Sequence, residues 1–217
     1  MKFDPESTAV LLIDPYNDFI AEEGKLWPFV KVVAEATDTV ANMRKVTEAA
    51  RHSGAVVVFV PHHRWTPRDY DGWLRITSSQ AGASQIRLCE KGSWGGTFHS
   101  EFQPRTGDVV ASEHWAQSGF ANTDLDQQLK LRGLGHVIVI GLLANTCAES
   151  TARYAMELGY EVTLVTDATA AFSSEAMHAA HEVNGPTFAH HILTTAEVLQ
   201  ALGLAVEDLH AQESNDA

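Results

Sequence analysis

The stretch His136-Val137-Ile138-Val139-Ile140-Gly141-Leu142-Leu143-Ala144-Asn145-Thr146-Cys147 decides the fold. Its first five residues read as a strand over 136–140. An unbroken apolar run, unlike an alternating one, leaves no face for water, so this strand is buried on both sides. A short turn follows, and a helix is expected over 145–158, stopped by Gly159. Four similar runs lie at 9–13, 55–60, 108–111 and 161–165. Between them the spacing predicts helices. Val33, Ala36, Val40, Met43, Val46 and Ala50 make one stripe of a single helix over 32–51. Further helices are expected over 123–132, with Asp124 and Asp126 in the first turn, over 174–183, and over 195–202 after a capping threonine. Strand alternating with helix predicts a doubly wound α/β domain with a parallel sheet. Its right-handed crossovers gather the carboxyl ends of the strands on the one edge where ligands bind.

The rest of the chain fits that frame. With 217 residues, 45% of them hydrophobic and 20% charged, there is material for one real core, which excludes a disordered chain. A single domain over 1–217 is expected. It carries an irregular, Trp- and Gly-rich loop or lid region at about 62–105 and a frayed polar tail at about 208–217. Fifteen Lys and Arg against 28 Asp and Glu give a net charge of −13. Such a surface repels phosphate backbones and anionic lipid, so neither nucleic acid nor membrane is an expected partner. No apolar run approaches the ~20 residues of a membrane span. Asp4 and Glu6 stand where a signal peptide would be apolar, and a cytoplasmic location is expected. Two cysteines without a Cys-x-x-Cys form neither a disulfide framework nor a structural zinc site.

Three candidates for chemistry fall at predicted strand ends. Asp14 follows the first strand, either as a carboxylate on the ligand edge or as a cap for the next turn. Cys147 opens a helix, where the dipole and unpaired N–H groups favour the thiolate and could hold an oxyanion. The competing reading is a small buried cysteine, the commoner fate of a free thiol. Cys89 has no such setting and is read as structural. Glu113-His114 closes the third strand, where an acid and an imidazole could tune protonation. His62-His63, His190-His191 and His178/His181 match no recognised ligand spacing, and the last pair is expected on an exposed helix face. Neither a metal site nor a cofactor is expected. Gly92-Ser93-Trp94-Gly95-Gly96 follows no strand and lacks the Gly-Lys-Ser/Thr ending of a phosphate loop.

Taken together, these pieces resemble the isochorismatase-like cysteine hydrolase superfamily, over roughly 7–202. The carriers are Asp14-Pro15-Tyr16-Asn17-Asp18-Phe19, Gly92–Gly96, Ser118-Gly119-Phe120-Ala121-Asn122-Thr123-Asp124, and Gly141–Cys147 with Ser150-Thr151-Ala152-Arg153. They continue through Leu158–Val162 and Asp167-Ala168. The resemblance implies a three-layer α/β/α sandwich around a mainly parallel sheet of about six strands, and an Asp–Lys–Cys triad. Asp14 would be the general acid/base and Cys147 the nucleophile. Backbone N–H groups of Leu143 and Cys147 would form the oxyanion hole, beside a cis peptide at Leu142–Leu143. It also implies a homodimer or homotetramer.

One departure stands out, for no lysine closes the third strand. Counting from Asp108 puts Glu113 in its place, and counting back from Ser118 puts His114 there. A second carboxylate beside Asp14 would raise the thiol pKa, the wrong direction, so an imidazolium at His114 is preferred. The Asp-x-His metal motif of the nicotinamidase branch is also absent between His62 and Trp73. The expected activity is hydrolysis of a small carboxamide or related acyl C–N bond through a thioester. Phe19, Trp94, Trp115 and Phe120 are the expected substrate wall, with Trp65 and Trp73 as further aromatic candidates. The alternatives are vinyl ether hydrolysis giving pyruvate, with Lys91, Arg64, Arg68 or Arg153 meeting a dianion, and an inactive binding module.

Overall fold

The computed structural model of the chain describes residues 1–204. The tail expected to fray at about 208–217 lies outside the described residues. Six strands, β1 Thr8–Ile13, β2 Val56–Val60, β3 Val109–Val110, β4 His136–Leu142, β5 Glu161–Ala170 and β6 His191–Leu193, form one sheet. Their order is β3-β2-β1-β4-β5-β6, and all pairs are parallel. The helices are α1 Asn17–Ile20, α2 Trp27–Ala36, α3 Thr39–Ser53, α4 Ser78–Gln85, α5 Leu125–Lys130, α6 Glu149–Glu157, α7 Ser174–His178 and α8 Thr195–Ala201. No helix among the described residues is long and apolar enough to cross a membrane.

Strand alternation sorts the apolar runs into two layers. Ala9, Leu11 and Ile13 of β1 join Val137 and Val139 of β4 under Leu125 and Leu129 of α5 and Ala152 and Ala155 of α6. Val10 and Leu12 join Ile138 and Ile140 against Val30 of α2, Met43 and Val46 of α3, and Val198 and Leu199 of α8. Every residue of β1 and β4 is buried, as two covered faces require. Each buried Leu, Ile or Val contributes about 1.5–3 kcal/mol.

The expected single helix over 32–51 is two helices, joined at Asp38 with a φ of 50°. The Thr37 hydroxyl reaches the Val33 carbonyl and lies 2.6 Å from the Thr39 hydroxyl, while Asn42 Nδ2 donates to the Thr37 carbonyl. Short polar side chains offer the backbone partners other than the helix, a competition invisible to the apolar stripe. The lid region holds α4, opened by a Thr77–Gln80 capping box and burying none of its residues, so it carried no apolar period. The helix over 174–183 is α7 followed by a π turn, Ala179–Asn184. His181 is buried there and bonded to Thr169, not exposed beside His178.

His136 is buried at the start of β4 between the Thr8 and Thr163 hydroxyls, and burial pulls its pKa down to about 4. The unfolded chain takes up that proton near pH 6.5 and the folded chain only near 4, so stability falls as the pH drops between those values. The loss at pH 4.5 relative to pH 7 should be about 2–3 kcal/mol for this group. Urea titrations at both pH values should show the gap shrinking by that amount in His136→Gln.

Candidate active site

The chain leaves β1 towards β2 on one side and returns through β4 on the other, so the strand order reverses between β1 and β4. Crevices at such reversals are the binding sites of open parallel sheets. Asp14 follows β1 with a φ of 52°, its N–H held by the Val60 carbonyl at 3.1 Å. From β3 the chain crosses the end of β2. Ala111 N–H bonds the Phe59 carbonyl, His114 N–H the Pro61 carbonyl and His63 N–H the His114 carbonyl. This ladder, with a bridge between His62 and His114, carries His114 over to Asp14. Beyond β4, Gly141 passes the Ile13 backbone so closely, at a φ of 108°, that a side chain would collide with it. The Leu142–Leu143 peptide is cis, as the resemblance implies. Cys147 lies in the π turn Ala144–Ala148 that follows.

These three segments bring Asp14, His114 and Cys147 together. A carboxylate oxygen, a ring nitrogen and the sulfur all lie within 4.8 Å of one another. His114 Nε2 is 3.0 Å from Asp14 Oδ1, within hydrogen-bond reach. Asp14 and His114 are wholly buried, and Cys147 is buried at 6% exposure. Asp14 Oδ2 and His114 Nδ1 are buried without a hydrogen-bond partner. The thiol lies 4.0 Å from the Ala116 carbonyl and 3.9 Å from the Thr146 hydroxyl.

The expectation that helix position favours the thiolate is reversed in the free protein. Burial pushes the Cys147 pKa well above its usual value, and the Asp14 carboxylate raises it further. Hydrogen bonds from Thr146 and the Leu143 backbone pull the other way and are outweighed.

Glu113 turns away from the cluster. It accepts from the Arg64 backbone N–H at 2.9 Å and from Arg64 Nε at 2.6 Å, and lies 3.3 Å from His63 Nδ1. Burial alone would raise its pKa, but the bonds from His63 and Arg64 prevail and bring it down to about 2. Glu113 therefore ties the 62–64 segment to the strand end that presents His114. A carboxylate with a depressed folded pKa stabilises above its unfolded value and loses that effect as the pH falls towards 2. Glu113→Gln should cost about 1–2 kcal/mol at pH 7, discounted for partial exposure, with the deficit fading below pH 4. Denaturation midpoints at pH 7 and pH 3 will check it.

Of the expected substrate wall, Phe19 and Phe120 are core. Phe19 is buried in the α2–α3 layer, and Phe120 stacks between Tyr154 and Tyr160. Trp94 and Trp115 are half exposed. Trp115 stacks on His63 at 3.6 Å and meets Trp73 at 5.5 Å, and Trp94 and Asn17 line a cavity of about 530 Å³. Trp65 hydrogen-bonds Ser84.

Sequence reasoning missed Asn17 and Asp18 as clamps. Asn17 Nδ2 donates to the Trp94 carbonyl, and Asp18 Oδ2 accepts from the Cys89 N–H and pairs with Lys25 at 3.2 Å. A side chain at Gly95 would collide with Asp18, which explains that glycine. His62, weighed in the sequence only as a possible metal ligand, has its ring 5.4 Å from that of His114 and its pKa lowered by burial. The closeness of Asn17 and Asp18 to Asp14 in sequence was the available signal, whereas His62 reaches His114 only through the bridge between the two.

Fold and site together define a parallel α/β enzyme with an acid, an imidazole and a thiol at the strand-order reversal. A family model, the isochorismatase domain, matches residues 8–197, and the chain belongs to that family as one of its hydrolases. It is 31% identical over 176 residues to the ureidoacrylate amidohydrolase RutB of Rhizobium rhizogenes, covering 76% of this chain and 71% of that one. Among solved structures it superposes on a cysteine hydrolase from Pseudomonas syringae pv. phaseolicola with a TM-score of 0.79 at 25% identity, covering 94% and 95% of the two chains. The N-carbamoylsarcosine amidase from Thermoplasma acidophilum gives 0.64 at 32% identity, covering 90% and 97%.

Proposed function

We propose that this hydrolase cleaves a small carboxamide or ureido C–N bond through a thioester on Cys147. The observation that carries the reading is the convergence of carboxylate, imidazole and thiol within 4.8 Å. Relatives named for ureidoacrylate and N-carbamoylsarcosine hydrolysis support the bond type.

Burial and Asp14 push the thiol pKa up, so a proton leaves as the sulfur attacks. Asp14 takes it, and the His114 N–H steadies the carboxylate oxygen that does not. Backbone N–H groups of Leu143 and Cys147 hold the oxyanion. Asp14 then returns the proton to the leaving nitrogen. In the second half it draws a proton from water, which attacks the thioester; the C–S bond breaks, the acid leaves, and Asp14 passes that proton to the Cys147 sulfur. Trp94 and Trp115 wall the substrate. Three of the four cations offered for the dianion of vinyl ether cleavage are paired or exposed. Arg64 is engaged by Glu113 and Arg153 by Glu149, and Arg68 stands exposed beside Asp71.

A panel of ureides, carbamoyl amino acids and simple amides, with ammonia as readout and intact-mass detection of an acyl adduct on Cys147, tests the reading. Turnover with an adduct supports it. Pyruvate from isochorismate without any amide turnover overturns it, as does a protein inert towards the whole panel.

A further inference from the structure

We propose that Asp14, His114 and Cys147 also form a three-ligand site for a thiophilic divalent cation, best suited to Zn²⁺, whose binding silences the nucleophile. The donors are one carboxylate oxygen, one imidazole nitrogen and one sulfur, all within 4.8 Å of one another. Tetrahedral zinc takes such donors at ~2.0–2.3 Å, with three protein ligands and an open fourth position in accessible sites. Its ligand atoms then lie roughly 3.3–3.7 Å apart, a spacing that His114 Nε2 and Asp14 Oδ1 already nearly have at 3.0 Å. The sulfur must close by about 1 Å at most.

The electrostatics favour the same occupant. A carboxylate and a thiolate neutralise a dication, so the loaded cluster brings no net charge into a wholly buried place. With the carboxylate binding through both oxygens, the ion also partners Asp14 Oδ2, which is buried without a hydrogen bond among the described residues. An ammonium at position 114 would hold no lone pair for a metal, whereas an imidazole does, so the ligand set is specific to a histidine there. On binding, the thiol releases its proton to solvent and the neutral imidazole binds through Nε2 with its proton on Nδ1. The metal accepts lone pairs from sulfur, Nε2 and a carboxylate oxygen, and nothing is oxidised or reduced. Sequence spacing could not reveal the site, because its ligands come from three separate strand ends.

Binding stands on this geometry alone. Only its consequence for turnover rests on Cys147 being the nucleophile. The metal-free protein is titrated with Zn²⁺ by calorimetry and with Co²⁺ by absorbance. One ion per chain is expected, with a thiolate-to-cobalt charge-transfer band. Cys147→Ala and His114→Ala should each weaken affinity at least about 100-fold. His178→Ala, which removes the surface pair between His178 and Glu182, should leave the titration unchanged. Absence of the band in the unmodified protein overturns the proposal without reliance on any variant's folding. Undiminished affinity in Cys147→Ala, or loss of binding in His178→Ala, overturns it equally. If amide turnover exists, one equivalent of Zn²⁺ should abolish it and a chelator restore it, and activity that persists with the site loaded refutes the silencing. A protein with no amide turnover that still shows the band would sink the hydrolytic reading and leave the metal site standing.

Discussion

Replacing Cys147 with alanine is expected to remove amide turnover by on the order of 10⁴–10⁶-fold while leaving the fold in place. The sulfur is the strongest nucleophile of the three, and in the proposed mechanism it carries the acyl group while Asp14 and His114 serve the proton transfers. The structural cost is small. Cys147 packs beside Ala148 and Ala152 in the α5–α6 layer, and losing one sulfur costs about 1–2 kcal/mol. Single-turnover kinetics with the best substrate of the panel, alongside thermal unfolding, will separate the two. A Cys147→Ala protein that still hydrolyses its substrate at near-normal rate would mean that water attacks directly, driven by Asp14. That outcome belongs to vinyl ether chemistry, in which protonation of the enol ether is the main event.

Asp14→Asn should produce two effects of opposite sign. Turnover should fall about 10²–10⁴-fold, because the group that moves protons is gone. Alkylation of Cys147 by iodoacetamide near pH 8 should accelerate, because the Asp14 carboxylate is one of the causes holding the thiol pKa up. The sign follows directly. Removing a negative neighbour lowers the pKa of the thiol and raises its thiolate fraction at a given pH. Burial remains, so the profile moves down without reaching that of an exposed cysteine. A purely structural Asp14 predicts instead that both rates change together, through a disturbed crevice.

The two halves of the site were legible to different depths. Asp14 and Cys147 follow β1 and β4, the central strands, whose unbroken apolar runs announce themselves. His114 was not separable from Glu113 by counting, because β3 is only two residues long and the chain beyond it is registered by bonds to the end of β2. Those bonds place His114 against Asp14 and send Glu113 to Arg64. The break at Asp38 and the buried His181 escaped for a related reason. Hydrophobic period records which face meets the core, not which hydroxyl or amide competes for a carbonyl.

The amino-acid sequence by itself determined the layered parallel sheet, the edge on which chemistry could occur, and two of the three residues there. Short-range forces suffice for that, since apolar runs, glycine stops and capping residues act within a few positions of one another. Only the tertiary structure decided that His114 is the third side chain in the cluster, that burial pushes the Cys147 thiol pKa up, and that an acid, an imidazole and a sulfur share one small volume. Each of those depends on through-space distance and on the exclusion of water, which belong to the packed assembly of β1, β3 and β4 and to no segment of it alone.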